Sequence, residues 1–235
     1  MTDAGRRAEL AANLERVRER IAQACAAAGR PPDAVTLTAV TKTYPASDVL
    51  LLAGLGVTDV AENRDQEASI KAEAVRAGGA RPRWHFVGRL QRNKVKSVLD
   101  YADVIESVDS VRLAEALGRA AAGRAEPLEV LIQISLDGDP ARGGVFGDDL
   151  WRVSDAVTSS EGLRLGGLMA VAPLGEEPGA AFARLAEIAG QMASRHPGAT
   201  VVSAGMSGDL EAAVRYGATH VRIGTSLLGM RNSLR

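Results

Sequence analysis

Eight short runs rich in β-branched residues, most of them followed by an amphipathic stretch, occupy residues 35–223 of this chain. The runs cover residues 35–40, 57–60, 83–86, 104–105, 130–134, 165–169, 200–202 and 220–223. The amphipathic stretches between them cover 46–53, 65–77, 94–100, 111–122, 148–159, 179–194 and 209–216. Strands that alternate with helices build right-handed βαβ units and a parallel sheet. Eight such units in a chain of 235 residues predict an α/β fold, a single (β/α)8 TIM-type barrel, in preference to an open doubly wound sheet. No GxGxxG fingerprint follows the first run, which further disfavours the open dinucleotide-binding sheet.

An extra helix precedes the barrel. In residues 4–28 the apolar side chains Leu10, Leu14, Val17, Ile21 and Cys25 recur at three- and four-residue steps, and Gly29 with Pro31 and Pro32 ends the pattern. Cys25 on that stripe reads as a small buried hydrophobe. No linker divides the chain, so residues 1–235 are expected to form one domain, with the helix in 1–30 and the barrel in 35–230. The longest irregular region, 137–146, reads as a mobile loop.

Composition removes several function classes. Basic and acidic side chains number 28 and 29, so the basic footprint of a nucleic-acid binder is missing. Aromatic residues are only 3%, too few for a base-stacking platform. One cysteine allows no internal disulfide, and a chain of this length needs neither a disulfide nor a metal staple. No apolar run reaches the roughly 18 residues of a membrane span, and the polar N-terminus has no signal-peptide core. A cytoplasmic location and no membrane partner are therefore expected.

In such a barrel the chemistry gathers where strands end. The first run ends in Val40-Thr41-Lys42-Thr43-Tyr44-Pro45, which places a lysine at the rim. A lysine desolvated there becomes a neutral amine that can condense with a carbonyl to a Schiff base. The alternative is a lysine that snorkels to solvent or pairs with a carboxylate. Glu62 and Asn63 follow the second run, with Gln66 and Glu67 one turn on, and Glu106 follows the fourth. His85 lies within the third run and faces either the barrel interior or the helices.

The seventh run leads into Ser203-Ala204-Gly205-Met206-Ser207-Gly208-Asp209, and the eighth into Arg222-Ile223-Gly224-Thr225-Ser226. Small hydroxyl-bearing turns in these two slots suit a phosphate. A lysine that reacts with aldehydes beside a phosphate cup points to pyridoxal 5′-phosphate, or to a phosphorylated sugar aldehyde as in a class I aldolase.

Seven blocks, AVTKTYP, AENRDQE, WHFVGRLQRNK, VDSVRLAEAL, LMAVAP, SAGMSGDLEAAV and VRIGTSLLG, resemble in order the YggS/PROSC family of pyridoxal phosphate homeostasis proteins, over about residues 10 to 230. The resemblance implies the alanine racemase N-terminal barrel, PLP fold type III, without that enzyme's second domain. It implies a covalent aldimine between the cofactor and Lys42. It implies that Ser203, Gly224 and Thr225 hold the phosphate with Met206 and Ser207 close by, that Arg222 lies near the pyridine nitrogen, and that Asn63 lies near the ring. His85 belongs to the family's tryptophan-histidine-phenylalanine block. The chain departs from the family pattern around Glu62 and Asn63, at Ala204, and at 141–145, where ARGGV replaces a lysine-serine-glycine pattern.

An arginine beside the pyridine nitrogen is always charged and can only donate, which makes the ring a weaker electron sink. Racemases of this fold also need a second acid/base group, a tyrosine from a second domain. Here Tyr44 and His85 are the weak candidates for that work, with Tyr44 expected to pack against the rim. The expectation is a monomeric carrier that holds pyridoxal phosphate reversibly and releases it to apo-enzymes, without efficient catalysis. A narrow-range racemase, a Schiff-base phosphosugar aldolase and a purely structural barrel are the alternatives.

Overall fold

The computed structural model describes residues 3–139 and 142–229. Eight parallel strands close into a barrel in chain order: β1 (Thr36–Val40), β2 (Asp59–Glu62), β3 (Arg83–Phe86), β4 (Val104–Val108), β5 (Leu128–Ile134), β6 (Leu163–Ala170), β7 (Val201–Ser203) and β8 (His220–Ile223). Pairing of β1 with both β2 and β8 closes the ring. The helices are α1 (Asp3–Ala27), α2 (Ala46–Gly54), α3 (Asp65–Ala77), α4 (Val95–Leu99), α5 (Val111–Ala121), α6 (Asp149–Thr158), α7 (Pro178–Arg195), α8 (Leu210–Arg215) and α9 (Thr225–Leu228). Among the described residues no helix is long and apolar enough to cross a membrane.

The barrel expected from the alternation is the barrel observed. Several strands extend beyond their apolar runs, and for β2 and β4 the reason is physical. β2 runs on through Ala61 and Glu62, and β4 through Glu106 and Ser107, all of them buried. Glu62 and Glu106 look like loop in a sequence, yet they form strand because their carboxylates meet Lys71 and His85. The GTS turn after β8 is the start of α9, one short helical turn that the hydrophobic pattern does not announce.

Side chains alternate along each strand between the helix layer and the barrel interior. Ile105, Val130, Ile132 and Leu168 belong to the main core beneath the helices, whereas Val104, Leu131 and Met169 form a separate small cluster. At the N-terminal end of the barrel Glu129 accepts from Arg83 at 2.6 Å and pairs with Arg164.

α1 packs on α2, α8 and α9. Its stripe Leu10, Leu14, Val17, Ile21 and Cys25 is buried, as the spacing predicts. Its polar side chains reach the rim from outside. Asn13 Nδ2 donates to the Leu227 carbonyl at 2.8 Å, Arg6 Nη2 to the Leu228 carbonyl at 3.0 Å, and Arg20 Nη2 to the Ser207 carbonyl at 3.1 Å.

The 137–146 loop is anchored where it is described. Val145 bridges to Ile134, and Arg142 Nη2 donates to the Ala172 carbonyl at 2.7 Å. Within ARGGV, Ala141 lies outside the described residues.

β6 carries a register shift against β5 between Val130 and Leu131, opposite Gly166 and Gly167. Gly167 has φ +150°, and a Cβ there would lie 2.0 Å from the Val201 carbonyl oxygen. Gly167→Ala is therefore expected to destabilise the barrel by about 2–4 kcal/mol, read from urea unfolding. Gly190→Ala, in an α7 position with nothing within 4 Å, is the control, expected to stabilise slightly.

Candidate functional site

A string of buried charges crosses the barrel interior. His85 lies between two carboxylates, with Nδ1 2.6 Å from Glu106 Oε1 and Nε2 3.0 Å from Asp59 Oδ1. Glu106 Oε2 accepts from Ser203 Oγ at 2.6 Å. Arg222 Nη1 donates to the same Ser203 oxygen at 2.7 Å and lies 3.8 Å from Glu106 Oε2, while Nη2 donates to the Ala170 carbonyl at 2.8 Å. Glu106 is fully buried and faces both cations of the string, His85 and Arg222.

The protonation states follow from this geometry. Burial alone would lower the His85 pKa, but its bonds to Asp59 and Glu106 outweigh burial and raise it to about 9. Burial pushes Glu106 up, yet the His85 bond and the charges of His85 and Arg222 bring it down to about 2. Burial also pulls Arg222 below the usual guanidinium range, and the Glu106 carboxylate opposes this. At neutral pH the string holds His85 and Arg222 as cations and Glu106 as the anion between them.

The rim lies at the C-terminal strand ends. Lys42 follows β1, with Asn63 after β2, the Ser203–Asp209 turn after β7 and Gly224-Thr225 after β8. In the closed ring β7, β8, β1 and β2 are consecutive neighbours, so the structure gathers these residues on one arc. Lys42 is exposed, and among the described residues no hydrogen bond or ion pair engages its ammonium.

The β7 and β8 turns are tied together. Arg222 N–H donates to the Gly205 carbonyl at 2.9 Å, and Ser226 N–H to Ser207 Oγ at 3.3 Å. Gly205 has φ +90°, and a Cβ there would lie 2.6 Å from Ala213 Cβ, so only glycine fits this bend. Asn63 is held from below, since a Cβ on Gly88 would lie 2.0 Å from its carbonyl oxygen. Met206 is exposed on the lip, its N–H bonded to Asp209 Oδ1 at 2.6 Å.

These placements bear on each expected residue. The Ser203 hydroxyl donates its hydrogen bond to Glu106 Oε2. Ser207 Oγ accepts a bond and keeps its own proton to donate, and Thr225 is exposed beside it. A hydroxyl-rich pair of turns on the same arc as a lysine with no partner among the described residues fits a ligand that bears both an aldehyde and a phosphate. Tyr44 sits on the outer rim, its hydroxyl donating to the Gly229 carbonyl at 2.6 Å. His85 lies on the interior string, connected to Arg222 through Glu106 and Ser203. Sequence reasoning missed Asp59, and it recognised Glu106 only as a strand-end residue. Among the described residues no cluster could hold a metal ion. A cavity of about 440 Å³ lined by Arg76, Arg81, Arg83 and Tyr101 lies away from this rim, at the start of β3.

The chain matches the family model for the alanine racemase N-terminal domain over residues 10–232, which defines its class as a racemase-type barrel. It is similar to the pyridoxal phosphate homeostasis protein of Mycobacterium tuberculosis, 44% identical over 245 residues covering 96% of this chain and 94% of that one. It is similar to the Escherichia coli protein of the same name at 36% identity over 232 residues, covering 95% and 97%. The chain belongs to the pyridoxal phosphate homeostasis protein family. Among solved structures, PipY of Synechococcus elongatus with PLP bound superposes with a TM-score of 0.78 at 33% identity, covering 89% of this chain and 100% of that one. An alanine racemase of Clostridium difficile shares the fold, with a TM-score of 0.73 at 16% identity, and this chain covers 58% of it.

The buried string predicts a pH profile. His85 has a raised folded-state pKa, so its stabilising contribution is complete below about pH 6.5 and is lost as the pH rises through about 9. Unfolding free energy should fall across that window. Glu106→Gln should shrink the fall and destabilise the protein by about 3–5 kcal/mol, because it leaves buried Arg222 without its anion and His85 with Asp59 alone. An unchanged pH slope in this variant would contradict the assignment.

Proposed function

We propose that this chain binds pyridoxal 5′-phosphate at the barrel mouth and serves its homeostasis, holding the cofactor on Lys42 and releasing it to apo-enzymes. The observation that carries this reading is the unpartnered Lys42 ammonium on the same arc as the bonded Ser207 and Ser226 turns. The family supports it, and so does the PLP bound to a relative 33% identical to this chain. On this reading Lys42 would hold the cofactor through its amine nitrogen, and pyridoxal phosphate would supply the aldehyde with which that amine condenses. Ser207 and Thr225 donate to the phosphate with Gly224 beneath it, while Ser203 positions Arg222 from the interior. Asn63 and Met206 border the ring, and Arg222 faces the pyridine nitrogen. The site takes no metal.

The same geometry favours a carrier over a racemase. The Tyr44 proton is bonded to a carbonyl, and both His85 nitrogens are held by carboxylates. Neither group is free to take a proton from the far face of a substrate. A permanently charged Arg222 at the pyridine nitrogen makes the ring a poor electron sink. The reading includes a single barrel domain with an N-terminal helix, acting as a monomer in the cytoplasm.

The test is a transfer and exchange assay. Protein loaded with pyridoxal phosphate is mixed with the apo form of a PLP-dependent enzyme, and recovery of that enzyme's activity is followed. In parallel, D- and L-amino acids are incubated with the loaded protein in deuterated water. The expected result is recovery of activity without α-proton washout. Washout that requires Lys42 together with Tyr44 or His85 would overturn the carrier reading in favour of a racemase.

A further inference from the structure

The backbone on both sides of Lys42 is held by one pair of side chains from α3. Before Lys42, the Thr41 carbonyl accepts from Lys71 Nζ at 2.8 Å. After it, the Thr43 N–H donates to Glu67 Oε1 at 2.5 Å. Glu67 and Lys71 stand one helical turn apart and pair at 3.1 Å. Lys71 also donates to Glu62 Oε1 at 2.6 Å, and the same oxygen accepts from Thr41 Oγ1 at 2.7 Å. The buried Lys71 ammonium thus has three acceptors for its three protons. It is fully committed, in contrast to Lys42.

The segment between the two anchors is strained. Tyr44 N–H donates to the Thr41 carbonyl at 3.0 Å, which closes a four-residue turn with Lys42 and Thr43 at its centre. Thr43 has φ +70°, the only positive value at a non-glycine residue among those described. Turns with a left-handed third residue normally take glycine or asparagine there. A β-branched residue resists that conformation, so something outside the turn must hold it. The Glu67 carboxylate on the Thr43 N–H is positioned to do this.

We propose that the Glu67–Lys71 pair is a clamp that holds the strained Thr41–Tyr44 turn, so that Lys42 is presented to the barrel mouth with its ammonium unengaged. The inference rests on Lys42 being the cofactor-bearing amine. Glu67 and Lys71 are positioning residues that act through the backbone.

The test follows the visible Schiff-base band on titration with pyridoxal phosphate, recording apparent affinity, rate of appearance and thermal unfolding together. Loss of one charge-assisted hydrogen bond in Glu67→Ala should weaken apparent affinity about tenfold and slow the band by a similar factor. Glu67→Gln retains an acceptor for Thr43 and should recover most of both. In the Thr43→Gly background the Glu67→Ala loss should shrink to about threefold or less, because glycine adopts the left-handed conformation unaided. A merely structural contact would lower the unfolding temperature without this dependence on residue 43. If Glu67→Ala does not fold, Glu67→Asp takes its place, since it keeps the charge but is too short to hold Thr43. Wild-type affinity and rate in the folded variant, or an equal loss in both backgrounds, would overturn the clamp. A wild-type protein that forms no band would overturn the cofactor reading and the clamp with it.

Discussion

One buried carboxylate, Glu106, sets the charge balance of the barrel interior. Barrels of this kind usually fill their interior with layers of branched apolar side chains. Here His85 and Arg222 occupy part of that space as cations, and an unpaired buried cation is strongly destabilising. Glu106 meets both, through the 2.6 Å contact with His85 and through Ser203, which donates a hydrogen bond to it at 2.6 Å and accepts from Arg222 at 2.7 Å. Because Arg222 and Ser203 lie just below the mouth, the position of the rim chemistry is inherited from a carboxylate deeper in the fold.

The two walls of the mouth are braced separately. On the β7–β8 side, α1 reaches over the barrel to the carbonyls of Ser207, Leu227 and Leu228. On the β1–β2 side, α3 holds the Lys42 turn through Glu67 and Lys71. Lys42 itself has no partner among the described residues. Binding to a preformed site loses little free energy to ordering the protein. A rigid frame around one free amine therefore suits a ligand that must be taken up and given back.

Much of this was legible in the sequence, and the rest was hidden for definite reasons. Strands buried between a barrel interior and a helix layer read as apolar runs, which is why all eight were visible. The pattern failed at Glu62 and Glu106, because a buried carboxylate in a strand is distinguishable from a loop residue only once Lys71 and His85 are seen beside it. Lys42 was legible because it ends an apolar run, and the β7 and β8 turns because small hydroxyl residues cluster there. The role of Ser203 was not, since nothing in SAGMS says that its proton goes inward to Glu106. Thr43 was the least legible, as a β-branched residue is a poor choice for a left-handed turn, and only the contact with Glu67 accounts for it. The spacing of Glu67 and Lys71 was present in the sequence, but i,i+4 pairs are common on helix surfaces and nothing marked Lys71 as buried.

The most direct test of the account is to locate the covalent bond. The protein is saturated with pyridoxal phosphate, reduced with borohydride, digested, and its peptides are analysed by mass spectrometry. The account predicts one dominant phosphopyridoxyl adduct, on the peptide carrying Lys42, and none on Lys71, whose three protons are already committed. An adduct chiefly on Lys71 or on scattered surface lysines, with Lys42 unmodified, would contradict it.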